Sequence, residues 1–600
     1  MGRCGTREGL ALDAVSLCEA FQRSVRHYAD RPALRTLGGE TEISWREYGE
    51  RVREMSAGLA AQGIGAGDTV AIMLTNRPET VIVDTAAMHL GAIPFSIYNT
   101  SSAEQVEYLF GHAECRVAIT EERFAGLVCT VASRLPRLES VFVLEGASPG
   151  VRAFAELEAA GAEDFDFEGS WRAVRGEDVA TLIYTSGTTG PPKAVELTHA
   201  NLLAQIELVD RVMALRPGGR TVSYLPMAHL ADRCASHYSA LVSGATVTFV
   251  EEVTQVLAAV GEVRPTAWGA VPRVWEKLKA ALEAGFAAEP DAERRAALAS
   301  ALESSLAAVR AEQAGETLDD GRRASWAEAD RELFAPLRAQ LGLDEVEYLL
   351  SGAAPIAPEV LEFFAALGLP ICELWGMTEL SLIATTNRPG AIRIGTVGLA
   401  LPEIELSLAG DGELLVRGPT VMRGYRGDAE RTAETIDADG WLHTGDIAEI
   451  DADGYVSIVD RKKELIINAG GKNMSPANIE NKIKAACPLI GSVVAIGDRR
   501  PYNTALVVLD PIAVMGFASA HGLGVDSLAQ LAGEETVCQA VAGGVQRANE
   551  SLSRVEQIKR HTILAEEWQP GGDELTPTMK LRRKPIAEKY AAEIEAMYGG

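Results

Sequence analysis

Six hundred residues are too many for one compact core, so at least two folding units are expected, and three or four subdomains fit the length. The formal charge of -28 argues against a nucleic-acid partner, because phosphate backbones attract basic surfaces, and leaves solubility as the ordinary reading of the acidity. The eight cysteines are scattered without a CxxC pair and no apolar run reaches the roughly 20 residues that span a bilayer, so the chain reads as a cytoplasmic protein without a disulfide framework or zinc site.

From Ser16 to about Ala61 apolar positions recur at helical spacing in two runs, separated by two short strands around Gly38-Gly39. A buried strand is expected over 69–74, a helix over 78–90, and further short strands over 116–120 and 140–144. Strands alternating with helices predict an α/β fold with a largely parallel, doubly wound sheet.

The stretch 181–199, TLIYTSGTTGPPKAVELTH, concentrates donors for anionic oxygens. Thr185, Ser186, Thr188 and Thr189 supply hydroxyls, Gly187 and Gly190 free the backbone to turn, and Lys193 adds positive charge. It is not a Walker A loop, since Pro191 and Pro192 separate Gly190 from the lysine. Leu202, Ile206, Val209 and Met213 then mark one face of a helix with Thr198 as N-cap, which sets the phosphate loop between a strand and a helix.

Strands follow over 221–225 and 244–250, the first ending in PMAHLADR. Residues 274–340, rich in Ala, Glu, Leu and Arg, read as several helices broken near Pro290, Gly315 and Gly321, a helical cover or partner surface. A strand over 345–350 leads into SGAAP, a helix over 358–367 and ELWGMTE. Beyond Gly395 the pattern becomes alternating strands with Asp-Gly turns, consistent with a small antiparallel barrel or sheet, and after DRKKELII a compact α/β module closes the chain.

Eight motifs stand in one order: YTSGTTGPPKAVELTH, SYLPMAHLADR, VPRVWEK, SGAAP, LWGMTE, HTGD, DRKKELI and LTPTMKLRR. On these the chain resembles, over nearly its whole length, the adenylate-forming superfamily of acyl-CoA synthetases, and within it the long-chain fatty acyl-CoA synthetases. The resemblance implies a large N-terminal domain of doubly wound sheets over 1–460, including a small β-barrel-like subdomain at about 395–460, and a smaller mobile α+β C-terminal domain over 461–600. It also implies a two-step reaction, in which a fatty acid attacks ATP to give an acyl adenylate and CoA then displaces AMP.

The family roles fall on particular residues. The loop Thr185–Lys193 would hold the β- and γ-phosphates, with Mg²⁺ on Glu379 and Thr185. Adenine would lie between Gly352, Ala353 and Ala354 and the ring of Trp375, which stands where tyrosine is usual. Gly376 would let backbone approach the nucleotide and Thr378 would bind phosphate. Asp446, helped by Arg461, would accept the ribose hydroxyls. Lys580 would bridge carboxylate and α-phosphate, although the basic run 580–589 could also simply face water. His229 would sit near the substrate carboxylate, with Trp268 and Gly269 as candidate pocket neighbours. Lys463 aligns with the hinge, and the 469–472 AGGK run would border a pantetheine tunnel. Met579 and Ala194 replace usual glycines, and Ala194 would strain the loop if a positive φ is required there. Asn468 replaces a lysine that some long-chain enzymes have nearby.

The same motifs would serve a ligase that hands the acyl adenylate to a carrier protein, though no carrier domain is fused here, or a luciferase-like oxygenase. A non-catalytic lipid-binding homologue is the alternative of a different class, and retention of Lys193, Glu379, Asp446 and Lys580 speaks against it. A lipid substrate leaves peripheral membrane contact open.

Overall fold

The computed structural model describes residues 7–146, 150–162, 164–185, 191–467, 473–525, 527–569, 571–576 and 580–599. The first sheet is parallel, its five strands ordered Ile93–Ser96, Thr69–Met73, Val117–Thr120, Ser140–Val143 and Arg152–Ala153. Each residue of Thr69–Met73 is buried, so the strand is a continuous apolar run without polar alternation. Helices Pro78–His89, Ala103–Ala113 and Glu122–Ala132 make the crossovers, the second started by a Ser102–Gln105 capping box.

Pro78–His89 is buried at every position but Glu79, which places Asp84 inside the protein. Its carboxylate meets the equally buried Arg233 guanidinium, which also donates to Ser96 Oγ at 2.8 Å and to Tyr238 Oη at 3.0 Å; His237 Nε2 lies 3.1 Å from the other carboxylate oxygen. Removing either charge would strand the other, at a cost of about 3–5 kcal/mol.

Two mixed sheets also belong to the large body. One runs Arg220–Ser223, Thr246–Phe249, Pro32–Thr36, Glu42–Ser44, the last two forming the expected antiparallel pair around Gly38-Gly39. The other runs Ala267–Ala270, Tyr348–Ser351, Ile371–Trp375 in parallel and continues antiparallel through Thr385–Thr386 and Leu399–Ala400. Because Ala267–Ala270 and Tyr348–Ser351 are parallel neighbours, the helices Pro272–Ala287, Ala292–Gln313, Asp320–Ala329 and Ala335–Gln340 are one long crossover between them, and not only a surface cover.

The small antiparallel unit is a four-stranded sheet, Glu405–Leu408, Glu413–Arg417, Leu442–Ile450, Val456–Arg461. Past the exposed turn at 462–464 comes a three-stranded mixed sheet, Ile490–Ile496, Asn503–Leu509 and Ile558–Leu564, with its own core against helices Pro476–Ala486 and Glu535–Glu550. Among the described residues no helix is long and apolar enough to cross a membrane.

Candidate active site

The donor-rich stretch differs from its expected setting. Strand Val179–Thr185 turns back antiparallel into Lys193–Thr198, Thr185 standing opposite Lys193, and helix His199–Asp210 follows only after that second strand. The stretch therefore joins two antiparallel strands, not a strand to a helix. The missed strand is held on its other edge by Gly424–Tyr425, a partner too distant in sequence for local patterning to reveal. Thr198 does cap the helix, accepting from Asn201 N at 3.1 Å. Ala194 lies in extended backbone, buried opposite Tyr184, so no positive φ is required of it. Ser186, Gly187, Thr188, Thr189 and Gly190 lie outside the described residues, as do Asn468, 469–472 and Met579.

At the base of the hairpin the Lys193 ammonium stands 4.8 Å from the centre of the Tyr425 ring, a cation–π contact. Burial, then the Arg431 charge, hold its pKa below the usual lysine range. The Tyr425 hydroxyl donates to Glu379 Oε1 at 2.9 Å. Tyr425 was missed by sequence reasoning, and its one signal is the Gly-Tyr pair in MRGYRGD.

Glu379 is buried on a short turn, Thr378–Leu380, after strand Ile371–Trp375, and Met422 N pins its carbonyl at 2.8 Å. The chain then folds back through Ser381 and Leu382 at φ +60° and +120°, a strained pair costing of order 1–3 kcal/mol each. Gly376 serves this fold-back: a Cβ there would lie 1.8 Å from the Leu382 carbonyl oxygen. Its glycine is thus required by the protein's own backbone, whatever room it also leaves for a nucleotide. Gly352 is similar, since a Cβ would meet Leu374 Cδ1 at 2.5 Å, while Ala353 takes φ +70° in the turn that also carries Ala354. Glu373, opposite Ser351 in the sheet, is a buried carboxyl on this wall that burial pushes up to about 8.

Trp375 carries a link that tyrosine could not make in the same way. Its indole N–H donates to Asp446 Oδ2 at 2.8 Å, and Arg461 Nε meets Asp446 Oδ1 at 2.9 Å. Asp446 and Arg461 face each other across adjacent strands. Glu413 braces the same corner: it accepts from Gly445 N at 2.9 Å and from Lys462 Nζ at 3.0 Å, and Lys462 also meets Asp411 at 2.5 Å. Lys463 follows, exposed in the turn.

His229 caps a short helix through Nδ1, which accepts from Ala231 N at 3.0 Å and leaves the Nε2 proton for another partner. Burial, aided by the Lys580 charge, holds its pKa at about 4, so the ring is neutral near pH 7. Asp232 fixes the preceding turn by accepting from Tyr224 N at 3.1 Å, Leu225 N at 3.0 Å, Ser223 Oγ at 2.6 Å and Ser236 Oγ at 2.8 Å; burial raises it to about 6. Trp268 packs edge-on against Trp275 at 4.7 Å, and the Gly269 carbonyl accepts from Tyr224 Oη at 2.9 Å.

Lys580 arrives from the far end of the chain. Its backbone is clipped to Thr576, N to Oγ1 at 2.9 Å and Thr576 N to its carbonyl at 2.8 Å. The side chain is open to solvent yet crowded by the cleft walls; this crowding, then the Arg461 charge, lower its pKa against the pull of Asp446, Glu464 and Glu379. Thr185, Lys193, His229, Gly352, Ala353, Ala354, Trp375, Gly376, Thr378, Glu379, Asp446, Arg461, Lys463 and Lys580 all line one open cleft of about 2830 Å³, several times a typical small-ligand pocket.

Among the described residues no three His, Cys, Asp or Glu side chains converge as a metal cage. Glu379 with Thr185 is a pair of hard oxygen donors, and that fits Mg²⁺, which keeps waters and takes phosphate oxygens for the rest of its shell.

Residues 21–426 match the AMP-binding enzyme family and residues 463–600 the AMP-binding enzyme C-terminal domain. A Mycobacterium tuberculosis protein with the provisional name fatty-acid–CoA ligase fadD11 is 54% identical over 452 residues, 75% of this chain and 79% of that protein. The long-chain-fatty-acid–CoA ligase FadD15 of the same species is 36% identical over 93% of this chain and 92% of its own. Among solved structures, the anthranilate CoA ligase AuaEII in complex with anthranoyl-AMP superposes with a TM-score of 0.73 at 21% identity, covering 97% of this chain and 98% of that one.

Proposed function

The chain belongs to the AMP-binding enzyme family, and from that premise we propose that it is an ATP-dependent, AMP-forming ligase that joins a fatty acid, long-chain by likeness to FadD15, to CoA. The observation that carries the reading is the meeting in one cleft of Lys193, Glu379, Asp446, His229 and Lys580, drawn from five separate motifs.

In the first step a carboxylate oxygen attacks the α-phosphorus of ATP, the bond to the bridging oxygen of the β-phosphate breaks, and pyrophosphate leaves. Lys193 and the 185–190 loop grip the β- and γ-phosphates, with Tyr425 fixing the height of the lysine. Glu379 and Thr185 would hold Mg²⁺, which would supply charge neutralisation on the phosphate oxygens. Adenine rests against Trp375 and the 352–354 turn. Asp446 takes the ribose hydroxyls, already oriented by the Trp375 N–H and Arg461. Neutral His229 donates through Nε2 toward the substrate carboxylate, and Lys580 stabilises the charge shared by carboxylate and α-phosphate.

In the second step the CoA sulfur attacks the acyl carbonyl, the thiol proton is released, and AMP leaves. The unit 461–600 turns about Lys463 between the steps, withdrawing Lys580, against a larger unit 1–460 whose 395–460 part is the small antiparallel subdomain. Carrier-protein acceptance remains the second reading, since it shares each ATP contact.

Incubation with ATP, Mg²⁺ and a panel of C4 to C24 acids, with and without CoA, tests this. Acyl-CoA and AMP are expected with the long acids. Release of neither AMP nor pyrophosphate with any acid would overturn the enzyme reading, and adenylate without thioester would favour the carrier.

A further inference from the structure

The VPRVWEK motif has no part in the chemistry assigned above: Arg273, Val274 and Lys277 line the cleft wall, and Trp275 packs against Trp268. Pro272 starts the helix Pro272–Ala287, where its missing N–H costs nothing. Val274 and Trp275 turn inward, the indole donating to the Leu350 carbonyl at 3.2 Å and packing on Phe364 at 5.1 Å. Arg273 and Glu276, one turn apart, are thereby left facing the 461–600 unit. There the Arg273 guanidinium meets Asp510, and Lys484 Nζ donates to Glu276 Oε1 at 3.1 Å.

We propose that this crossed pair of ion pairs is a docking latch that holds the C-terminal unit in the orientation delivering Lys580 to the cleft; the inference rests on the two-step reading of the site. Three features support it. The charges alternate, plus and minus on the body against minus and plus on the unit, so a shifted or rotated docking would set like charges together. Each side chain is largely shielded, from 11% exposed at Asp510 to 26% at Arg273, which protects the attraction from screening. The unit's two partners are already ordered: Asp510 caps the helix Pro511–Ala520, accepting from Ala513 N at 2.9 Å, and Lys484 sits in the last turn of Pro476–Ala486. Arg273 and Glu276 are positioning residues, acting through the placement of Lys580.

The test measures the two half-reactions separately on the full chain. Arg273→Glu and Glu276→Lys should each slow pyrophosphate release from acid and ATP by about fivefold to tenfold, while thioester formation from supplied acyl adenylate and CoA is kept or accelerated. The swap Glu276→Lys with Lys484→Glu should restore adenylation to within about twofold of the parent, an outcome that a purely structural role does not give. Equal loss in both half-reactions, no loss in either, or failure of the swap to restore would overturn the latch. Small-angle scattering of the full chain gives a readout that does not depend on activity: Arg273→Glu should broaden the distribution of interunit distances, and an unchanged profile counts against the proposal. A parent protein that forms no adenylate with any acid would remove the catalytic reading, whereas the scattering comparison still judges the docking.

Discussion

Lys193 and Lys580 reach the same cleft and are held there in opposite ways. Lys193 closes a hairpin whose strands are paired along six residues of register, sits on a tyrosine ring, and belongs to the body that carries Glu379 and Asp446. Lys580 is fixed locally by a four-residue clip to Thr576 and reaches the cleft only because the C-terminal unit is docked. A lysine built into the wall binds substrate throughout the cycle. On the two-step reading proposed above, a lysine delivered by a docked unit would act in one step and be absent from the next, so that the charge needed for the first reaction would not obstruct the second.

Lys580→Ala should break this division most sharply. Adenylation is expected to fall by about 10²–10³, the size of losing one preorganised donor to a developing charge, with thioester formation from supplied adenylate spared. Equal loss in both steps would contradict the delivered-lysine reading.

Acidification probes the two regions as folded bodies. Burial holds His89, His199 and His229 at about 4 and His237 well below 6.5, all in the large body. Imidazoles kept neutral contribute stability that is full above pH 6.5 and lost as pH falls toward 4. Asp232, raised to about 6, and Glu373, raised to about 8, act in the opposite sense, being destabilising once ionised. Near pH 5 these histidines, joined by His112, which burial also lowers, outnumber the two raised carboxyls, so the unfolded body binds more protons and the body loses stability as pH falls. In the C-terminal unit His561 is lowered by burial and Glu480 raised by burial, shifts of opposite sense on acidification. Tryptophan fluorescence, to which the C-terminal unit contributes only Trp568, should therefore report acid unfolding of the body ahead of the small unit. Coincident transitions by fluorescence and by exchange in 490–509 would argue otherwise.

Lys463→Pro should reverse the selectivity of Lys580→Ala, slowing thioester formation by about tenfold or more through a stiffened turn and sparing adenylation. Rapid-quench measurement of each step decides it. The smallest effect is expected from Tyr425→Phe, which keeps the ring beneath Lys193 but removes the hydroxyl from Glu379. The KM for ATP with Mg²⁺ should rise about fivefold to tenfold with little change in kcat, as for the loss of about 1 kcal/mol, one ordinary hydrogen bond. An unchanged KM would mean that the hydroxyl does not orient Glu379.

Local chemistry made much of this protein legible before its structure. Buried strands such as 69–73 read directly because a parallel strand covered on both faces is apolar throughout, and the Thr198 cap and the Gly38-Gly39 turn carry their own signatures. The hairpin's second strand was lost because KAVELT looks like the tail of a loop until Tyr425 pairs with it. Tyr425 itself, the Trp375 bond to Asp446 and the Arg273 contact with Asp510 join residues far apart in the chain, which no periodicity encodes. The glycines at 352 and 376 were legible, but not that they also yield space to Leu374 and Leu382, neighbours that only the fold brings close.

The pairing of Asp446 with Arg461 across adjacent strands bears on fidelity. On the proposed two-step reading Asp446, in the unit 1–460, keeps the ribose contact on the stationary side, while Arg461 opens the unit that turns. The proposed adenylate would then stay housed while the unit swings past it, its anhydride kept from water between the two reactions. Commitment of each ATP to product, and not the speed of either step alone, is what this register protects.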